Sequence, residues 1–204
     1  MDTPLLPILI RHSFTSAEWD GVQAFDCGDA HYEREVATWI KGKQGPEIDS
    51  ALTSINHPDR PGRVWLYKLE AGTLVGFGAL GQNEWRWKGK KDPFVPVTII
   101  IWVGLQKEFQ GKPEGPKEQR YSVLILNDLI KEAEKDQDKY PVLGLCVHKD
   151  NAKAINLYKW FGFADNLEPR RNPKTKEVEY LRMAVVLNEE ALLRLRDQAQ
   201  KKKE

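Results

Sequence analysis

The chain has 204 residues, 41% of them hydrophobic and 30% charged, which is enough apolar material for a core and excludes a disordered chain. Its 31 Lys and Arg against 30 Asp and Glu leave a net charge of +1, so a bulk polyanion binder is excluded and any nucleic-acid contact must come from a local patch. Two distant cysteines, Cys27 and Cys146, suggest neither a disulfide scaffold nor a metal site, and a reducing, cytoplasmic setting is expected. The opening MDTPLLPILIRHS reads as lacking a signal peptide, and no apolar run reaches the roughly 20 residues of a membrane span.

With no repeat in the sequence, the chain is expected to form one domain over residues 1–204. Residues 5–12, rich in Leu and Ile, predict an opening strand. From Ser16 to about Lys41 the apolar spacing is helical, and Asp26-Cys27-Gly28-Asp29 divides it into two helices. Residues 42–62 carry Gly45-Pro46, His57-Pro58 and Pro61-Gly62 and predict mostly loop. Strands are expected at 63–69 and 73–80, joined through Glu70-Ala71-Gly72. The near-unbroken apolar run 94–105 predicts a central strand covered on both faces. After a loop rich in Gly, Pro and charge, 122–135 predicts a helix and 141–148 another strand. A helix capped by Asp150 or Asn151 then runs to Trp160. A strand at 178–187 and a helix at 188–200 complete an α/β or α+β order, with a parallel crossover in the middle.

Chemistry concentrates in Asn151-Ala-Lys-Ala-Ile-Asn-Leu157-Tyr158-Lys-Trp-Phe-Gly162-Phe163, directly after the strand ending at His148. Asn151 and Tyr158 stand two helical turns apart, a spacing that puts both on one face, and a phenol there can protonate a leaving thiolate. Spacing and context resemble the last conserved block of the GNAT N-acetyltransferase superfamily, whose members move an acetyl group from acetyl-CoA to an amine. A second stretch, Leu105 to Lys112, is similar to the segment leaving that family's central strand for its pyrophosphate loop. About six residues are inserted between Lys112 and Tyr121 relative to the family pattern.

The resemblance implies a single-domain α/β fold with a mixed, mostly antiparallel sheet flanked by helices and splayed between 94–105 and 141–148. The acetyl-CoA core spans about 94–163. It further implies that Val103 and Leu105 offer backbone groups to the pantetheine arm and thioester. Gln110, Gly111, Lys112, Arg120, Tyr121 and Ser122 would hold pyrophosphate, Asn151 would orient the co-substrate, and Tyr158 would protonate the thiolate. Many relatives dimerise.

The base is the open position, because 95–105 contains no carboxylate. Glu84 is the nearest acidic candidate, set against a solvated turn residue; proton loss through water is the alternative. His148 at its strand end reads as structural ahead of a base, and Cys146 as a buried, unreactive thiol. The front third, Phe25-Asp-Cys27-Gly28 with Tyr32-Glu33 and Val36, and later Pro96-Val97, resembles GNAT toxins that acetylate aminoacyl-tRNA. Arg86, Lys88, Lys90 and Lys91 among Trp85 and Trp87, with Arg170, Arg171, Lys174 and Lys176, are the groups available to RNA. Three readings therefore stand: an acetyltransferase of an unnamed primary amine, a tRNA-directed toxin, and a CoA-binding module without turnover.

Overall fold

Among the described residues the strands assemble in the order β1-β2-β3-β4-β5-β7-β6, a seven-stranded mixed sheet accompanied by five α-helices. These are seen in a computed structural model that describes residues 8–42, 63–85, 94–113, 117–165 and 167–201. The loop expected at 42–62 and the basic run 86–91 therefore lie almost wholly outside the described residues. The chain divides into two compact units, Met1–Ala79 with Trp102–Leu129, and Leu80–Ile101 with Ile130–Glu204.

In the first unit, β1 (Leu9–Ser13) pairs antiparallel with β2 (Arg63–Leu69), from Leu9 opposite Leu69 to Ser13 opposite Trp65. Gly72, at φ +85, closes the turn into β3 (Leu74–Trp85): its N–H donates to the Leu69 carbonyl at 2.8 Å. The helical stretch breaks where the sequence indicates, into α1 (Trp19–Val22) and α2 (His31–Lys41). Trp39 of α2 stacks on Phe77 at 5.7 Å and lies 6.0 Å from Trp102, while Phe25 meets Phe77 edge-on at 5.3 Å. Aromatic pairs of this kind add to the area they bury, and they anchor α2 on the sheet. Helix α3 (Tyr121–Glu134) buries Ile125, Leu126 and Leu129. Leu129 lies so close over Gly78 that a Cβ there would come within 2.7 Å of it.

In the second unit, β4 (Val95–Leu105) pairs in parallel with β5 (Val142–His148) from Val97 opposite Val142 to Ile100 opposite Leu145, and the register ends there although both strands continue. This is the parallel crossover expected of the middle of the chain. Strand β7 (Val178–Val186) runs antiparallel to β5 along its whole length. Trp85, Val95, Val97, Val142, Leu167, Ala184 and Leu192 form one apolar cluster. Helix α4 spans Ala152–Trp160; α5 spans Glu189–Lys201 and starts from Asn188, whose Oδ1 accepts the Ala191 N–H at 3.0 Å.

Three details differ from the sequence reading. Strand β3 continues to Trp85, because the indole is buried against Gly144, where a Cβ would come within 2.4 Å of the ring. The far half of β4 is not covered on both faces: Ile101, Trp102, Val103 and Leu105 are only half-buried. A two-residue strand, β6 (Arg170–Arg171), pairs with β7, too short to carry a periodic signal.

Candidate active site

In the first unit the candidate residues follow the end of β4. The Gln106 N–H donates to the Val75 carbonyl at 2.8 Å, so alternation along the strand turns the backbone groups of Val103 and Leu105 to the opposite edge. A 3₁₀ turn at Lys107–Phe109 leads to Gly111, whose φ of +75 suits glycine. The insertion is pinned at its base. The Tyr121 N–H donates to the Lys112 carbonyl at 2.9 Å, and the Tyr121 and Phe109 rings meet edge-on at 5.5 Å. Lys112 and Tyr121, on either side of the insertion, are thus held together where α3 begins.

This geometry sorts the expected phosphate ligands. The Gln110 side-chain amide donates to the Cys27 carbonyl at 2.5 Å, and the Tyr121 amide is spent on Lys112. The amides of Gly111 and Ser122 make no backbone hydrogen bond among the described residues. Arg120 Nε is buried without a partner among them. A buried unpaired guanidinium nitrogen beside a helix N-terminus is an arrangement completed by an anion, and phosphate meets it with both charge and acceptors. The exposed Lys112 adds a cation to the same loop.

Cys27 is buried beneath this loop, and burial pushes its thiol up to about 12, against the pull of the Leu105 backbone. It is a neutral thiol and no nucleophile.

The second unit holds Asn151 and Tyr158. Asn151 caps α4 through Oδ1, which accepts the Ala154 N–H at 3.1 Å. It therefore sits outside the helix. The face shared with Tyr158 does not follow from helical spacing, and what Asn151 has left to offer is its Nδ2 donor. Tyr158 is 8% exposed. At the end of α4, Gly162 at φ +84 donates its N–H to the Lys159 carbonyl at 3.0 Å, and the Phe163 N–H reaches back to Tyr158 O at 3.1 Å. Those two bonds make a Schellman cap, with the Phe163 and Tyr158 rings 5.9 Å apart as its apolar contact. The tyrosine, glycine and phenylalanine of the sequence motif are thus one structural device that fixes the phenol ring. Burial pushes the phenol up to about 12, and its hydroxyl makes no hydrogen bond among the described residues. Such a group keeps its proton at neutral pH and has it free to give.

His148 ends β5, with Tyr180 edge-on at 5.3 Å and its Nδ1 accepting the Asp150 N–H at 3.3 Å. The Asp150 carboxylate stands 3.7 Å from the same nitrogen, so His148 is held at the strand end by its neighbour and by Tyr180, as a structural residue would be. Glu84 lies within β3, not in a turn, and is exposed. Cys146 is exposed rather than buried, and it stands opposite Arg182 in the β5–β7 pair. Crowding around the sulfur still raises its pKa, against the pull of Arg182 and Arg170. Among the described residues no three His, Cys, Asp or Glu side chains are grouped to hold a metal ion, and no helix is long and apolar enough to cross a membrane. The Schellman cap was the signal that sequence reasoning passed over, although Tyr158, Gly162 and Phe163 stand at its spacing.

A profile of the acetyltransferase (GNAT) family matches residues 29–163. Among solved structures, one described as a bacterial toxin is similar at 14% identity and a TM-score of 0.61, covering 93% of this chain and 96% of that one. AtaT complexed with acetyl-methionyl-tRNAfMet is similar at 13% identity and a TM-score of 0.59, covering 88% and 95%. The spermidine/spermine N-acetyltransferase SpeG from Vibrio cholerae is similar at 13% and 0.54, covering 88% and 92%. Identities this low speak for the shared fold. No curated protein matches.

Proposed function

The chain belongs to the GNAT acetyltransferase family and is an acetyl-CoA-dependent N-acetyltransferase, and from that premise we propose that an amine acceptor attacks the thioester directly, with Tyr158 as the acid. The amine nitrogen forms the new bond to the acetyl carbon, the carbon–sulfur bond breaks, and the thiolate takes the phenolic proton of Tyr158. The proton lost by the amine passes through water to the carboxylate of Glu84. The backbone N–H of Val103 polarises the acetyl carbonyl, while that of Leu105 is directed at the Cys27 thiol. Gly111, Lys112, Arg120 and Ser122 hold the pyrophosphate, with Gln110 and Tyr121 shaping the loop, and Asn151 Nδ2 orients the co-substrate. The single observation that carries this reading is the fixed, buried phenol with an uncommitted hydroxyl. One domain, cytoplasmic action and a homodimer complete the proposal.

The acceptor is a primary amine. SpeG acts, by its name, on small polyamines, and AtaT is described in complex with an acetylated aminoacyl-tRNA. Arg170 and Arg171, exposed on β6, favour the RNA reading, while Glu168, Glu177 and Glu179 close by in the sequence dilute their charge and favour the small amine. A screen with radiolabelled acetyl-CoA, polyamines against aminoacyl-tRNA, separates the two. Binding without turnover on every acceptor would leave the non-catalytic module.

A further inference from the structure

The phosphate loop does not stand alone. Two glutamines bracket its 3₁₀ turn, and both spend their side chains on the turn that precedes α2. The Asp26 N–H donates to Gln106 Oε1 at 2.8 Å, and Gln110 Nε2 donates to the Cys27 carbonyl at 2.5 Å. The backbone repeats the connection, with the Lys107 N–H on the Asp26 carbonyl at 2.7 Å, and Lys107 Nζ reaches Asp29 Oδ2 at 2.7 Å. On its other side the turn is tied to α2: Glu33 Oε2 accepts the Ala30 N–H at 2.9 Å and fills the space beside Gly28, where a Cβ would lie 2.4 Å from that oxygen. Gly28 holds φ +125, so only glycine fits both the space and the backbone. A continuous polar path therefore runs from the start of α2 through Glu33, the 26–30 turn and the two glutamines into the loop. It reaches the start of α3 through Tyr121 and Lys112. The exposed Asp29–Lys107 pair is its dispensable member.

We propose that Gln106 and Gln110 are positioning residues for the co-substrate: their side-chain amides dock the phosphate loop on the 26–29 turn, so that holding phosphate and ordering the start of α2 are one event. The inference rests on the loop being the pyrophosphate site. Each glutamine leaves a backbone group of the turn without its partner when removed, which is the expensive way to lose a hydrogen bond. Replacing Gln106 and Gln110 together by Met keeps volume and removes both contacts.

The test combines calorimetry of acetyl-CoA binding with amide hydrogen exchange over residues 26–33. In the unaltered chain acetyl-CoA slows exchange across that segment. In the double variant the dissociation constant rises about tenfold and the added protection at 26–33 disappears, while KM for acetyl-CoA rises more than kcat falls. Gln106→Met and Gln110→Met made singly each raise the dissociation constant by a smaller factor with part of the protection lost, and they serve should the double variant not fold; single variants with unaltered affinity and protection overturn the inference equally. Measurable binding that leaves exchange at 26–33 indifferent, or a double variant with unaltered affinity, overturns this inference alone. Absence of acetyl-CoA binding to the unaltered chain overturns the phosphate-site reading and this inference with it.

Discussion

Replacing Tyr158 by Phe removes one oxygen and nothing else on which α4 depends. The Schellman cap uses the Tyr158 carbonyl, and its apolar contact uses the ring, so both survive in the phenyl side chain. The hydroxyl has no hydrogen-bond partner among the described residues, so folding stability should change by less than about 1 kcal/mol. The thiolate, by contrast, loses its proton donor. A positioned acid contributes roughly 10²–10⁴ in rate, and we expect kcat to fall about 10²-fold or more, roughly 3 kcal/mol in the barrier. The phosphate ligands belong to other residues, so the acetyl-CoA dissociation constant should stay within about twofold. Steady-state kinetics on the best amine acceptor, paired with calorimetry, gives both numbers. An unchanged kcat refutes the acid role outright. A kcat loss accompanied by an equal loss of affinity would make Tyr158 a binding residue instead.

Further expectations follow from the same geometry. Because burial raises the phenol to about 12, stability it contributes is intact below about pH 10, where the unfolded phenol titrates, and is lost as pH climbs through 12; chemical denaturation across that window should show a steeper loss for the unaltered chain than for Tyr158→Phe. Gly162→Ala meets no clash, since its Cβ would lie 3.8 Å from Val185 Cγ2, but it strains φ +84, so urea unfolding should report a loss of about 1–2 kcal/mol. Gly144→Ala drives a methyl into the Trp85 ring and should cost about 1–3 kcal/mol by the same measurement. Glu84→Gln should lower kcat/KM about tenfold or more if Glu84 receives the amine proton; steady-state kinetics equal to those of the unaltered chain assign the step to water alone.

The sequence made the scaffold legible where periodicity was strong. The apolar runs of β4 and β5, the helical spacing of α3 and the Asn151 cap all stand within a residue or two of expectation. Trp85 shows where such reasoning stops: its strand extends because an indole finds the bare backbone of Gly144 on a distant element, and nothing local encodes that meeting. Cys146 was misjudged for a related reason, since an apolar strand does not disclose that its neighbour across the sheet is Arg182. Within the candidate site, residue types were readable but their commitments were not. Gln110 looks like a phosphate ligand until its amide is found on Cys27, and Asn151 looks like a face-sharing partner of Tyr158 until it is found folded over the first turn of α4. The Tyr121–Lys112 bond, which lets an insertion leave α3 in place, is likewise a tertiary fact.

The most direct test of the account is calorimetric titration of the purified protein with acetyl-CoA, beside the same titration of Arg120→Ala. Binding should fall in the micromolar range, about 8 kcal/mol, and weaken about tenfold once the Arg120 guanidinium, with its buried Nε, is removed. No detectable binding to the unaltered protein, or equal binding by the variant, would contradict the assignment of this loop as the phosphate site.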